Sequence, residues 1–264
     1  MAERRTNKEL PSILYKYRDA ANLQYHQRII SHQEVYLSRP SQYNDPFDCR
    51  IPIRGDLMTD EEKEHQVKEI LRIVFDDEEF ISKRTQEIRE ANELWFSPLV
   101  RKESKEMMDK WDEVAGVYSL SEVNNNILMW SHYAKDHTGF TVGLWSDALM
   151  QMEEFVYLDF INYVEEYPLI KGGADHNEMF YKKFYYKSHD WHYEKEWRIV
   201  TLHPKNRIIR IPKNAFAEII FGSHMNEKLQ DRMAKQIKKI LPNVKLMKAF
   251  DSTEKFEVEI QPLL

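Results

Sequence analysis

The chain has 264 residues, 42% hydrophobic and 31% charged, which is enough apolar content for one substantial core and too much for a disordered chain. Its net charge of −6, without a long basic run, does not favour nucleic acid as a partner, and its 7 glycines form neither G-x-G-x-x-G nor G-x-x-x-x-G-K, the usual phosphate cradles. The single cysteine, Cys49, excludes an internal disulfide framework and a cysteine-based zinc site, the polar stretch Met1–Leu10 reads as no signal peptide, and no apolar run nears the roughly 20 residues of a membrane helix, so a cytoplasmic protein is expected.

The pattern predicts a short strand over Ile13–Arg18, a helix over about Ala20–Ile30 and a strand over Val35–Leu37. Ser38–Asp48 is a loop by composition, since Asn, Asp and Pro dominate it and Asp45 precedes Pro46. Thr59 caps a helix whose first turn is acidic, and Val67, Ile70, Leu71 and Val74 follow at helical spacing. Charged helical sequence continues to about Trp111, so residues 58–112 read as a helical insertion or lid within one domain of residues 1–264, too poor in apolar residues for a core of its own. Next come a strand over Val114–Leu120, a turn at Asn124–Asn126, a helix over Ile127–Lys135 and strands over Gly139–Trp145 and Phe155–Tyr163. After a break at Gly172–Gly173, His176–Lys187 reads as an aromatic helix. Strands are expected over Glu196–Leu202, Ile208–Ile211, Ala217–Phe221, Val244–Phe250 and Phe256–Ile260, with a helix over Asn226–Ile240, capped by Asn226 and stopped before Pro242. The sum is an α+β domain with a mixed or largely antiparallel sheet flanked by helices.

Tyr193–Arg198 is the sharpest chemical signal. On a strand, Glu194, Glu196, Arg198 and Val200 share one face, while Tyr193, Lys195, Trp197 and Ile199 take the core face, Lys195 snorkelling. Two carboxylates and a guanidinium on one face suit a cleft, where the acids can take different pKa values; the plainer alternative is an ordinary salt bridge. Trp130, His132 and Tyr133 form a second constellation on a helix, with His132 a candidate proton handler. The loop Asn44–Asp48 is a candidate for direct ligand contact, with Asn44 and Asp45 as its contact residues, although a structural turn is the default. Ser119 and Ser121, on one face at a strand end, could hold a phosphate or ribose, and Lys182, Lys183 and Lys187 form a local basic patch. His189, Asp190 and His192 have a metal-like spacing without an obvious full ligand set, so no metal is assigned.

Leu14–Arg18, Asn44–Asp48, Met129–Ala134 with His137 and Gly139, and Tyr193–Arg198 occur in this order in a large bacterial family of uncharacterised proteins, a domain of unknown function, which the chain resembles from about Leu14 to Phe250. More loosely, a strand with Arg, a strand with Ser-x-Ser and a strand with Glu-x-Glu, in that order, is similar to mono-ADP-ribosyltransferases. That resemblance implies NAD as co-substrate, with Arg18 on its phosphates, Ser119 and Ser121 shaping the nicotinamide pocket, and Glu194 with Glu196 at the nicotinamide ribose. Trp130, Tyr133, Asn44, Asp45 and Arg198 complete the candidate nucleotide contacts, and Glu196, Glu194 and His132 the candidate catalytic groups. The expected activity is ADP-ribosyl transfer to an unidentified macromolecule or NAD hydrolysis, as in a toxin or anti-phage effector. The alternatives are a metal-dependent nuclease using Glu194, Glu196, Asp190 and a histidine around Mg²⁺, or a non-catalytic sensing or interaction domain.

Overall fold

The computed structural model describes residues 8–20, 28–72, 74–90 and 109–263. The chain opens with strand β1 (Ile13–Arg18), helix α1 (Arg28–Ser31), β2 (Glu34–Tyr36) and β3 (Ile53–Arg54), followed by the helical pair α2 (Asp60–Arg72) and α3 (Glu78–Glu90). Then come β4 (Ala115–Ser121), α4 (Ile127–Tyr133), β5 (Phe140–Trp145), α5 (Ser146–Met150), β6 (Tyr157–Phe160), β7 (Asn162–Val164), β8 (Ile170–Lys171), α6 (His176–Tyr185), β9 (Tyr186–Ser188), β10 (Glu196–Leu202), β11 (Ile208–Arg210), β12 (Phe216–Phe221), α7 (Glu227–Ile240), β13 (Lys245–Asp251) and β14 (Val258–Pro262). Eight strands form the main sheet in the order β14-β13-β12-β5-β1-β4-β10-β6, with only the β12–β13 neighbours parallel. The fold is α+β, as the alternation pattern predicts.

Caps set several boundaries. Thr59 and Glu62 form a reciprocal capping box on α2, with Thr59 Oγ1 accepting from Glu62 N at 3.2 Å and Glu62 accepting from Thr59 N at 2.7 Å. The side chains of Asn126 and Asn226 cap α4 and α7. Other boundaries differ from expectation. The strand predicted over Phe155–Tyr163 is broken at Ile161, which is fully buried and donates its backbone N–H to Glu196 O at 3.0 Å, so β6 stays on the main sheet while β7 joins β9. The aromatic helix stops at Tyr185, because the chain turns extended there to run beside β7 as β9. Residues 21–27, most of the first predicted helix, lie outside the described residues, as do 73 and 91–108 of the predicted insertion.

The two faces of the sheet carry different cores. On one, Leu14, Tyr118, Leu120, Trp197, Ile199, Val142 and Ile219 pack under α1 and α7, through Ile29, Ile30, Met233 and Ile237. The other face is covered in two parts. Tyr15, Tyr17 and Ile220 meet Met129 and Trp130 of α4 and Ala134 just after it, while Ala115, Val117 and Val200 meet Phe180, Phe184 and Tyr185 of α6. The site occupies the seam between these two parts.

β1 and β5 pair along their whole length, from Ile13↔Trp145 to Arg18↔Phe140, but β1 and β4 pair only at Tyr15↔Ser121. Farther along, β4 bridges Ser38 at Val117 instead, so the middle of the sheet forks between β1 and β4. Lys16 Nζ reaches into the fork and donates to Ser119 O at 2.6 Å, standing where a ladder N–H would stand in a continuous pair. The end of β1 is also crowded by the turn after α4. Lys135, Asp136 and His137 all take left-handed φ values, 47°, 51° and 63°, and Gly139 then passes so close that a Cβ on it would stand 2.1 Å from Arg18 O.

Candidate functional site

Arg198 of β10 is fully buried. A guanidinium out of water is tolerated only where its donors all find acceptors. Asp48 takes a two-pronged bond, at 2.9 Å from Nη1 and 3.0 Å from Nη2; Glu196 accepts from Nε at 2.8 Å, and Phe184 O from Nη1 at 2.8 Å. The Tyr43 ring lies 5.2 Å away, close enough for a cation–π contact. Lys187 of β9 holds the other edge of the cluster: its ammonium donates to Glu194 at 2.6 Å and Glu196 at 3.0 Å, and stands 3.5 Å from Asp48. Tyr133 of α4 closes the circuit, its hydroxyl donating to Glu194 at 2.5 Å.

Five ionisable groups therefore meet in the seam: three acids, Asp48, Glu194 and Glu196, against two cations, Lys187 and Arg198. Full ionisation leaves one excess negative charge in a buried place, and the environment decides which acid gives way. Burial pushes both glutamates toward the neutral form, but Glu196 is held well below the usual carboxylate range by Arg198, then by Lys187. Glu194 has no such guanidinium; burial raises its pKa more than Lys187 lowers it, and Glu196 adds to the rise. The neighbouring carboxylates thus have proton affinities driven in opposite directions, the arrangement that separates acid from base roles in active sites.

The strand reading of Tyr193–Arg198 needs correction. β10 begins at Glu196; His189–Glu194 is a 3-10 turn, and Lys195 between them has φ 46° and ψ 49°. That left-handed residue turns Lys195 out to solvent instead of over the core, while Glu194, although off the strand, reaches the same cluster as Glu196. The supposed basic patch is also corrected: Lys183 and Lys187 are 1% and 7% exposed, because each satisfies buried acceptors, Lys183 donating to Ile51 O at 3.0 Å.

The remaining predicted residues distribute as follows. Ser119 shares a 2.8 Å hydroxyl contact with Tyr43 and helps lower the pKa of Glu196, so it belongs to the cluster. Ser121 is buried and donates to Glu194 O at 2.6 Å, fastening the 3-10 turn to the end of β4. Trp130 is a core residue, its indole donating to Asn124 O at 2.8 Å and its ring edge-on to Tyr17. His132 is exposed and contacts Tyr193 Oη at 3.0 Å, one residue removed from the carboxylates. Asn44 is exposed, and Asp45 is buried with its side chain accepting from Phe47 N at 2.9 Å. Arg18 has no hydrogen bond or ion pair to its side chain among the described residues; it lies close enough to Lys16 and Tyr118 to influence both titrations. Burial and Arg18 bring the Lys16 ammonium down to about 7, against the pull of Glu196 and Glu194.

Two members of the cluster, Asp48 and Lys187, lie outside the residues that sequence reasoning singled out as the site. The signal for Asp48 was present: a strand arginine flanked by Trp and Ile is buried, and a buried arginine requires a second carboxylate from elsewhere. Among the described residues no group of three or more His, Cys, Asp or Glu side chains stands where a metal ion could be held, so the nuclease reading has no assembled ligand set there. Nor is any helix among them long and apolar enough to cross a membrane.

Comparison with curated proteins yields no match, and neither does comparison with solved structures. A family model described as a protein of unknown function (DUF2971) matches residues 129–199, a stretch that takes in Trp130, Tyr133, Lys187, Glu194, Glu196 and Arg198 and stops short of Arg18, Asp48 and Ser119.

Proposed function

We propose that the chain binds NAD at the fork between β1 and β4 and cleaves its nicotinamide–ribose bond, as an ADP-ribosyltransferase or an NAD hydrolase. The observation that carries this reading is the adjacency of β1, β4 and β10: the strands bearing the arginine, the serine pair and Glu196 are neighbours, and the sheet opens between the first two. Arg18 stands on the sheet face of Leu14 and Tyr118, opposite that of Ser119 and Glu196, so the fork is the passage by which one nucleotide would place its pyrophosphate at Arg18 and its ribose at the glutamates; Arg18 needs to give up no protein partner among the described residues to do so. Departure of nicotinamide leaves an oxocarbenium-like ribose, which a nearby ionised carboxylate stabilises; Glu196 has that charge, while Glu194, with its raised proton affinity, suits deprotonation of the incoming nucleophile. In this scheme a glutamate exchanges its Lys187 contact for substrate.

A second reading is favoured by the closure of the cluster: Asp48, Glu194 and Glu196 are all ion-paired and buried, as suits a domain that senses a nucleotide without cleaving it. Incubation with NAD, with nicotinamide measured chromatographically and NAD binding by calorimetry, separates the two. Release by the native chain that falls at least about 100-fold in Glu196→Gln supports cleavage, on the scale of losing one preorganised charged group. Binding without release supports sensing, and absence of both overturns both readings.

A further inference from the structure

Beside the ion cluster lies a cavity of about 200 Å³, between the loop that carries Asp45 and Asp48 and the segment joining β7 to β8. That volume is below the range for drug-sized ligands, which points to a small occupant. Phe47 and Tyr167 both line it and are 62% and 54% exposed, their rings 5.9 Å apart and edge-on. Two large aromatic rings held together against solvent, at the rim of a cavity, are costly unless they contact something.

The charge lining this cavity selects the ligand. Lys187 reaches it, but its ammonium is already neutralised by the cluster. Asp48 is likewise matched by Arg198. Three carboxylates remain. Asp45 is only 6% exposed, and while one of its oxygens accepts from Phe47 N, the other accepts nothing among the described residues. Glu165 and Glu166 line the same cavity and form no ion pair or side-chain hydrogen bond among the described residues. The Tyr167 hydroxyl is pushed up in pKa by burial and then by Asp45, as expected beside an uncompensated negative charge.

We infer that this cavity is a binding site for a small organic cation, an ammonium or guanidinium on a short aliphatic stem, gripped by the Phe47 and Tyr167 rings and charge-matched by Asp45, Glu165 and Glu166. A cation over aromatic faces gains most where water is partly excluded, and a carboxylate oxygen without a protein partner supplies a directed acceptor. The site is separate from the proposed nucleotide fork and requires no NAD, yet it shares Lys187 and Asp48 with the ion cluster, so an occupant there lies next to the groups that set the protonation of Glu194.

Calorimetric titration of the full chain with agmatine, without any nucleotide, tests the assignment, with benzamide as a flat uncharged comparator. Expected are saturable one-to-one binding of agmatine that weakens as salt rises, about a tenfold loss of affinity in Phe47→Ala and in Tyr167→Ala, and a several-fold loss in Glu165→Gln/Glu166→Gln. These four residues are exposed, so the variants keep the fold, which circular dichroism verifies. No saturable binding at millimolar agmatine, binding unchanged in the Phe47 and Tyr167 variants, or tighter binding of benzamide than of agmatine each overturns the assignment. Because the titration contains no NAD, its failure leaves the cleavage reading untouched, and failure of NAD cleavage leaves this site untouched.

Discussion

At Arg198, the sequence places a permanent cation where the sheet has no water to offer. The residue is stable there because Asp48 matches its planar fork and Glu196 takes the remaining edge. Lysine has one nitrogen where arginine has three, and cannot reach Asp48 and Glu196 with the same geometry. Arg198→Lys is therefore expected to lower unfolding free energy by about 3 kcal/mol, in the range for a broken buried pair, read from the urea midpoint. A loss under about 1 kcal/mol would show that the pocket rehydrates. The two glutamates make opposite contributions to the pH dependence. Glu194 has a folded pKa raised above the 4.5 of a free glutamate, so its contribution is fully present below pH 4.5 and is lost as pH rises through the raised value. For Glu196 the folded pKa is depressed below 4.5, so its contribution is present above that pH and is lost as pH falls toward the folded value. Urea midpoints taken from roughly pH 3 to 8 are expected to lose the alkaline-side decline in Glu194→Gln and the acid-side decline in Glu196→Gln. Identical profiles in all three proteins would contradict the division of roles.

At the level of elements, two devices shape the end of β1: the fork between β1 and β4, and the left-handed turn after α4. Gly139 is where they touch, since a methyl there would strike two backbone carbonyls, Arg18 O at 2.1 Å and Ala134 O at 2.8 Å, neither of which can rotate away as a side chain would. Gly139→Ala is expected to cost about 3 kcal/mol, or a fall of about 6–10 °C in Tm by calorimetry. An unchanged Tm would mean that the turn shifts freely. Much of this architecture was legible in the sequence. The alternation in Ile13–Arg18 and Gly139–Trp145, and the capped helix after Asn226, gave elements that the structure contains, because burial on a sheet or against it writes its period directly into the chain. The outward turn of Lys195 was harder to read. A single left-handed lysine changes which way a side chain points, and lysine carries no compositional sign that it will adopt that conformation. For Asp48 the need was legible and the partner was not: a buried strand arginine calls for a second carboxylate, but no local pattern says that it comes from 150 residues away.

For the molecule as a whole, stability is unevenly spread. The main sheet is covered on both faces, whereas α2 and α3 carry ion pairs such as Arg72–Glu78 and Arg89–Glu64 on solvent-exposed surface, and α3 buries Ile81 and Thr85. Exposed pairs contribute little. Hydrogen exchange followed by mass spectrometry is expected to show peptides from α2 and α3 exchanging through local opening, well before those of β4 and β10, which exchange only with global unfolding. Equal protection would make the helical pair part of the central cooperative unit. The order of the strands has a consequence for synthesis. β1 is made first, yet it sits in the middle of the sheet, and its partners β5 and β4 begin about 120 and 100 residues later. At ribosomal speeds of about 5–20 residues per second, Ile13–Tyr17 waits roughly 5–25 s with both edges bare. Lys16 and Arg18 then have an earlier duty as gatekeepers: on the nascent chain their charges oppose aggregation of a tyrosine-rich segment until its neighbours emerge.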